Sequence, residues 1–179
     1  DNKSAILCRI QHQLMAIESV PGDGEAFQYL GTALIDFTSV CNSQARNTIL
    51  DAAIDCLRHA TIFSPCDSRV YSNLGVALSR RYPNSLEHES STIEAYEKSR
   101  EILKQSREAG CDVEDEWDSV SLNYGLFLAN MDRFADSVCA LDRTARKKVA
   151  DTSVDTTTTS QVVDDAHRLW QFCKRKMAK

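Results

Sequence analysis

Tyr71-Ser72-Asn73-Leu74-Gly75-Val76-Ala77-Leu78, followed by Thr92-Ile93-Glu94-Ala95-Tyr96-Glu97-Lys98-Ser99, is the stretch that decides the fold. Its first part places apolar residues three and four apart around a glycine. Its second part sets a small residue, a large apolar one four later and a small one three after that, again at helical spacing. The same pair returns on both sides. Phe27 leads to Leu30-Gly31 and Leu34, and then to Ala53, Leu57 and Ala60. Ser121 leads to Tyr124-Gly125 and Leu128, and then to Ser137, Leu141 and Thr144. Such a recurrence specifies two-helix units that bury their apolar faces by stacking.

Outward from this pattern the chain reads as helices separated by turn chemistry. A first amphipathic helix, residues 4–20, carries Ile6, Leu7, Ile10, Leu14 and Ile17 and is stopped by Pro21-Gly22-Asp23-Gly24, read as an interhelical turn and not a phosphate loop. The repeating units follow at 24–67, 68–104 and 116–149, with a stop at Ser64-Pro65, an N-cap at Asp67 or Ser68 and an end to the second unit's long helix at Gly110. Asp112, Glu114, Asp115 and Glu116 suit the positive start of the next helix. Residues 151–160, with Thr156 to Thr159, read as a polar linker, and residues 161–179 as a capping helix with Val162, Ala166, Leu169, Trp170, Cys173 and Met177 on its apolar face. The expected architecture is a single all-α domain.

At 179 residues the chain can bury a continuous core without disulfide or metal staples. Its net charge of -5, with both signs interspersed, does not favour phosphate backbones or anionic lipid. Seven scattered cysteines, odd in number, suit free buried thiols of a reducing compartment, the cytoplasm or an organelle reached after processing. No apolar run is long enough to span a membrane, so a soluble protein is expected. The chain begins at Asp1, which suits a fragment or a processed product.

The three units resemble tetratricopeptide repeats in Leu74-Gly75, Ala95-Tyr96 and their counterparts, over about two thirds of the chain. Pro65 stands six residues before Tyr71, and Pro21 six before Phe27. By this phasing, the first helix would be the back half of a further repeat. The resemblance implies an α-solenoid of about three hairpins. Two units depart from the regular spacing. From the glycine to the first small residue is 12 positions in the third unit, 17 in the second and 22 in the first. The extra residues around Ser39–Arg46 and Arg81–Glu89 would either enlarge loops on one rim or lengthen helices.

The resemblance further implies a concave groove lined by the first helix of each hairpin. Carried over by phase, its polar residues would be Gln28, Thr32, Arg69, Ser72, Asn73, Arg80, Ser119, Asn123 and Asn130, with Glu25, Ile35, Val76, Leu122 and Leu126 beside them. Asn73 and Asn123 would pair with a peptide backbone. One subset of the family clamps chaperone C-terminal carboxylates. Asn73 matches that clamp's asparagine, but Gln28, Ser119 and Asn123 occupy its cationic positions, which argues against it.

No catalytic motif is present, and no cofactor or metal is expected. Cys56 with His59, and Cys8 with His12, lack the second pair of a zinc site. The expected role is a non-enzymatic scaffold or adaptor for a protein or peptide partner, with a subunit of a large multiprotein assembly as the alternative. RNA binding is disfavoured because only Arg69 and Arg80 are cationic in the groove. A catalytic domain beyond the given chain would be visible in the full reading frame.

Overall fold

A computed structural model describes residues 2–150 and 161–178, so the expected linker at 151–160 lies outside the described residues. Every regular element among them is a helix: α1 (Asn2–Ser19), α2 (Gly24–Phe37), α3 (Ser43–Phe63), α4 (Ser68–Arg81), α5 (Leu86–Glu108), α6 (Glu114–Asn130), α7 (Phe134–Ala150) and α8 (Gln161–Met177). None of these helices is long and apolar enough to cross a membrane. Packing divides the chain into two compact units, Asp1–Ile102 and Leu103–Lys179, the boundary falling inside α5.

The turns behave as their residues dictate. Asp23 caps α2, its Oδ1 accepting from the backbone N–H groups of Glu25 and Ala26 at 3.0 and 3.1 Å. Asn42 caps α3 through Ala45 N–H at 2.9 Å, and Asp67 caps α4 through Arg69 N–H at 2.9 Å. Gly110 adopts a φ of 88° just past α5, a left-handed conformation that stops a helix with little strain for glycine.

In the first unit, α2 and α3 form an antiparallel hairpin: a Cβ built on Gly24 would lie 2.7 Å from Phe63 Cβ, and one on Gly31 would lie 2.6 Å from Leu57 Cγ. The α4/α5 hairpin repeats this arrangement, with Gly75 against the Tyr96 ring at 2.9 Å and Ser99 Oγ donating to Ser68 O at 2.8 Å. In the second unit Gly125 of α6 faces Leu141 of α7 at 2.6 Å. Each glycine of the recurring pattern is thus a notch filled by the large apolar residue of the following helix. The small residues flanking Leu57, Tyr96 and Leu141 are all buried as well. Deep burial also raises the pKa of the Tyr96 hydroxyl, the nearby Ser79 hydroxyl and Arg80 charge opposing it only in part.

The helix α3 packs against α4 around Ile35, Ala53, Ile54, Leu57, Ala77 and Leu78. The second unit is closed by α8, which lies on α7 and α6 and buries Val163, Ala166 and Cys173. Val163, rather than Val162, is the buried member of its first turn, and Met177 is exposed. The helix α1 packs on α2 but buries only Ile6 fully, leaving Leu7 and Leu14 exposed. At the distances before Pro21 that Ala53, Leu57 and Ala60 keep before Pro65, α1 carries Arg9, Gln13 and Ala16. It therefore lacks the large apolar residue that fills a glycine notch.

The extra residues of the first two hairpins mostly extend helices. Ten residues of α3 precede Ala53, six of α5 precede Thr92 and three of α7 precede Ser137. Helix extension therefore absorbs seven of the ten extra residues in the first hairpin and three of the five in the second.

The thiols do not follow the expectation of burial. Only Cys173 is buried; Cys8, Cys66, Cys111 and Cys139 are exposed because each falls on a polar helix face or in a turn.

Candidate functional site

Within the first unit, α2 and α4 run side by side in the same direction. Asn73 Nδ2 donates to Thr32 Oγ1 at 2.8 Å, and one turn earlier Arg69 lies close enough to Tyr29 to act on its phenol. The outward polar face of this pair is built from residues one helical turn apart, exposed or partly so: Glu25, Tyr29, Thr32 and Asp36 on α2, and Arg69, Asn73 and Arg80 on α4, with Val76 between the last two packed against the core.

The groups on this face are held by one another. Tyr29 is 42% exposed, and its hydroxyl donates to Glu25 Oε1 at 2.9 Å. That hydrogen bond, followed by the negative charge of Glu25, raises the phenol's pKa, while Arg69 opposes the rise. Arg69 donates through Nε and Nη2 to Asp67 at 3.1 and 2.8 Å, and this carboxylate also caps α4. Asp36 accepts from Arg9 Nη2 of α1 at 2.6 Å. The face offers guanidinium and amide donors, carboxylate acceptors and one aromatic surface, which together suit hydrogen bonding to a polar chain.

Of the residues expected to line a groove, Arg69 and Arg80 are exposed, and Thr32 and Asn73 are partly exposed and bonded to each other. Gln28 and Ser72 are corrections: they are 3% and 8% exposed and cannot present their side chains to an incoming chain. Ile35 is likewise a core residue. These positions sit about 60° or more around the helix from the exposed stripe, on its buried side, so the carried-over groove is too wide there. Tyr29 is the member this phase missed, although its spacing of four from Glu25 and three to Thr32 marks the stripe in the sequence. Ser119, Asn123 and Asn130 lie along α6 in the second unit; Ser119 and Asn130 are exposed, Asn123 is partly so, and the apolar neighbour Leu126 is 48% exposed.

The acidic start of α6 is a site of internal pairing. Glu114 bonds Arg143 and, at 2.8 Å, Lys147. Lys147 also reaches the buried Asp118 at 2.7 Å, while Thr144 Oγ1 donates to the other oxygen of Asp118 at 2.8 Å. The hydrogen bond from Lys147 is the main reason that the Glu114 carboxyl titrates below its ordinary range. For Lys147 itself, burial acts to lower the pKa, but the bonds to Asp118 and Glu114 outweigh it and hold the ammonium form.

Among the described residues no cluster of His, Cys, Asp and Glu is arranged to hold a metal ion. His59 stacks on Phe27 with ring centroids 5.4 Å apart, and Cys56 beside it has its thiol pKa raised by burial. Comparison with protein-family models and with curated proteins finds no match to this chain.

Proposed function

We propose that this protein is a non-catalytic scaffold or adaptor of the tetratricopeptide type, an α-solenoid of about three hairpins that holds a segment of a partner protein against its first helices. The observation that carries the reading is the recurrence of one contact. Gly31, Gly75 and Gly125 each receive the large apolar residue of the following helix, Leu57, Tyr96 or Leu141. That contact brings paired helices close while leaving the outer faces of α2 and α4 free of core duty. The docking residues are then Glu25, Tyr29, Arg69 and Asn73, with Arg80 at the far end of α4. Tyr29 supplies an amphipathic anchor, and Arg69 and Asn73 supply the polar specificity.

A second reading, a subunit built into a larger assembly, is favoured by the exposed apolar side chains of α1, where Leu7, Leu14 and Met15 are 45%, 47% and 60% exposed.

The discriminating experiment is affinity capture with the tagged chain from native extract, followed by salt washing, on wild type and on Tyr29→Ala with Arg69→Ala. The adaptor reading expects a partner that binds through a short segment and is lost from the double variant at unchanged helicity. Retention of many stoichiometric proteins through high salt, by both forms alike, would overturn it in favour of the assembly subunit.

A further inference from the structure

We infer that the cleft bounded by α3, α4 and α5 is a second docking site, for an acidic peptide segment that presents one apolar side chain next to a carboxylate. The cleft has a volume of about 470 Å³ and lies wholly within the first unit. Its floor is Tyr71, Leu74 and Leu78 of α4, and its rim carries Arg58 of α3 and Glu94 and Lys98 of α5. By the 100° turn per residue, these three floor residues point to the side of α4 opposite Arg69, Asn73 and Arg80. This surface is therefore independent of the face described above.

Two properties point to the occupant. Tyr71 and Leu74 are only partly buried, so the floor offers apolar surface that an incoming side chain would remove from water. The cleft's own lining has two cations against one carboxylate, and the further carboxylates of α5, Glu89, Glu97 and Glu101, line the adjoining groove and not this one. Elsewhere in this unit Arg9, Arg69 and Arg81 each bind an aspartate. Arg58 and Lys98 are exposed and, among the described residues, have no acidic partner. A carboxylate adjoining the buried side chain would give these cations a charge-assisted partner while excluding water from it. The volume falls in the range of sites that enclose a small group of atoms and not a whole helix.

The test is to pan a phage-displayed library of short random peptides against the full chain, then compare binding to wild type and to Arg58→Glu with Lys98→Glu. Both residues are exposed, and circular dichroism verifies that the charge reversals leave helicity unchanged. Expected are peptides pairing an apolar residue with Asp or Glu, which shift the methyl resonances of Leu74 and Leu78 and lose about tenfold or more in affinity for the variant. Ser91→Trp, which places a large ring at the rim, is expected to block the same peptides. The inference is overturned if no selected peptide shifts those methyls, or if those that do bind the charge-reversed chain equally well. Peptides that respond only to Asn73→Ala would belong to the α2/α4 face and would also count against the cleft.

Discussion

In the hairpin of α2 and α3 the residues flanking Leu57 are Ala53 and Ala60; in that of α6 and α7 the residues flanking Leu141 are Ser137 and Thr144. All four are fully buried. The first hairpin closes around methyl groups. The second closes around hydroxyls, each of which has found an acceptor: Ser137 Oγ donates to Gly125 O at 2.7 Å, and Thr144 Oγ1 donates to Asp118 at 2.8 Å. The small positions are thus selected for volume, and polarity is tolerated there when a partner stands opposite. The polar version brings a second consequence. It recruits Asp118, 5% exposed, and through it Lys147 and Glu114, so a buried, ion-paired carboxylate joins the two helices of this hairpin.

The comparison can be broken at its centre. Truncating Leu57→Ala or Leu141→Ala is expected to cost about 2 to 5 kcal/mol in either hairpin, because both side chains are fully buried. Both tryptophans, Trp117 and Trp170, lie in the second unit, so their fluorescence follows that unit while circular dichroism follows every helix. Leu141→Ala should therefore shift the fluorescence-detected melting, and an unchanged midpoint would refute the notch as the source of stability. Leu74 is a poorer probe, because it is only partly buried and lines the cleft.

Asp118→Ala comes next, at about 3 kcal/mol, since it strips a buried hydroxyl and a largely buried ammonium, 31% exposed, of their common partner. The first hairpin has no counterpart to this loss among the described residues. Adding a methyl at the notch, Gly31→Ala or Gly125→Ala, should cost about 1 to 3 kcal/mol, because the new carbon would stand 2.6 Å from a leucine Cγ in each case. Exchanging the chemistry is milder. Ser137→Ala should lose about 1 kcal/mol, whereas Ala53→Ser should change stability by less than that if the hydroxyl reaches the Gly31 carbonyl as Ser137 reaches Gly125.

Acid should separate the two hairpins with the smallest signal. Glu114 has a folded-state pKa below its ordinary 4.5, so its contribution is complete above that pH and drains away as the pH falls through the lowered folded value. Fluorescence-detected melting in that acid range should fall for the wild type and fall less for Glu114→Gln. Equal slopes would mean that the ion pairs with Lys147 and Arg143 contribute nothing measurable.

Much of the fold was legible because its signals are local. Helix caps depend on one side chain and the next two or three amides, which is why Asp67 could be placed from its neighbours, while Asp23, read only as part of a turn, proved to be a cap as well. The recurrence is legible too, Gly75 and Tyr96 returning in type at Gly31 and Leu57 and at Gly125 and Leu141, but that the large residue fills the notch at its own hairpin's glycine is what the structure adds. The candidate face was less legible. A face carried over from a family pattern is only as good as its width: Gln28 and Ser72, about 60° to one side of the exposed stripe, fall in the interior, while Tyr29, about 100° on from Gln28, lies outside.

By itself the sequence determined the helices, their order, several of their caps and stops, and the pairing of neighbours into hairpins, because periodicity and capping act over short separations. Only tertiary structure decided that the added residues lengthen α3 and α5, that Thr32 holds Asn73, that Lys147 gathers Asp118 and Glu114, and that Arg58 and Lys98 face one cleft. Those outcomes depend on which helix lies beside which, and on the rotation of each about its axis, neither of which is written into any single segment.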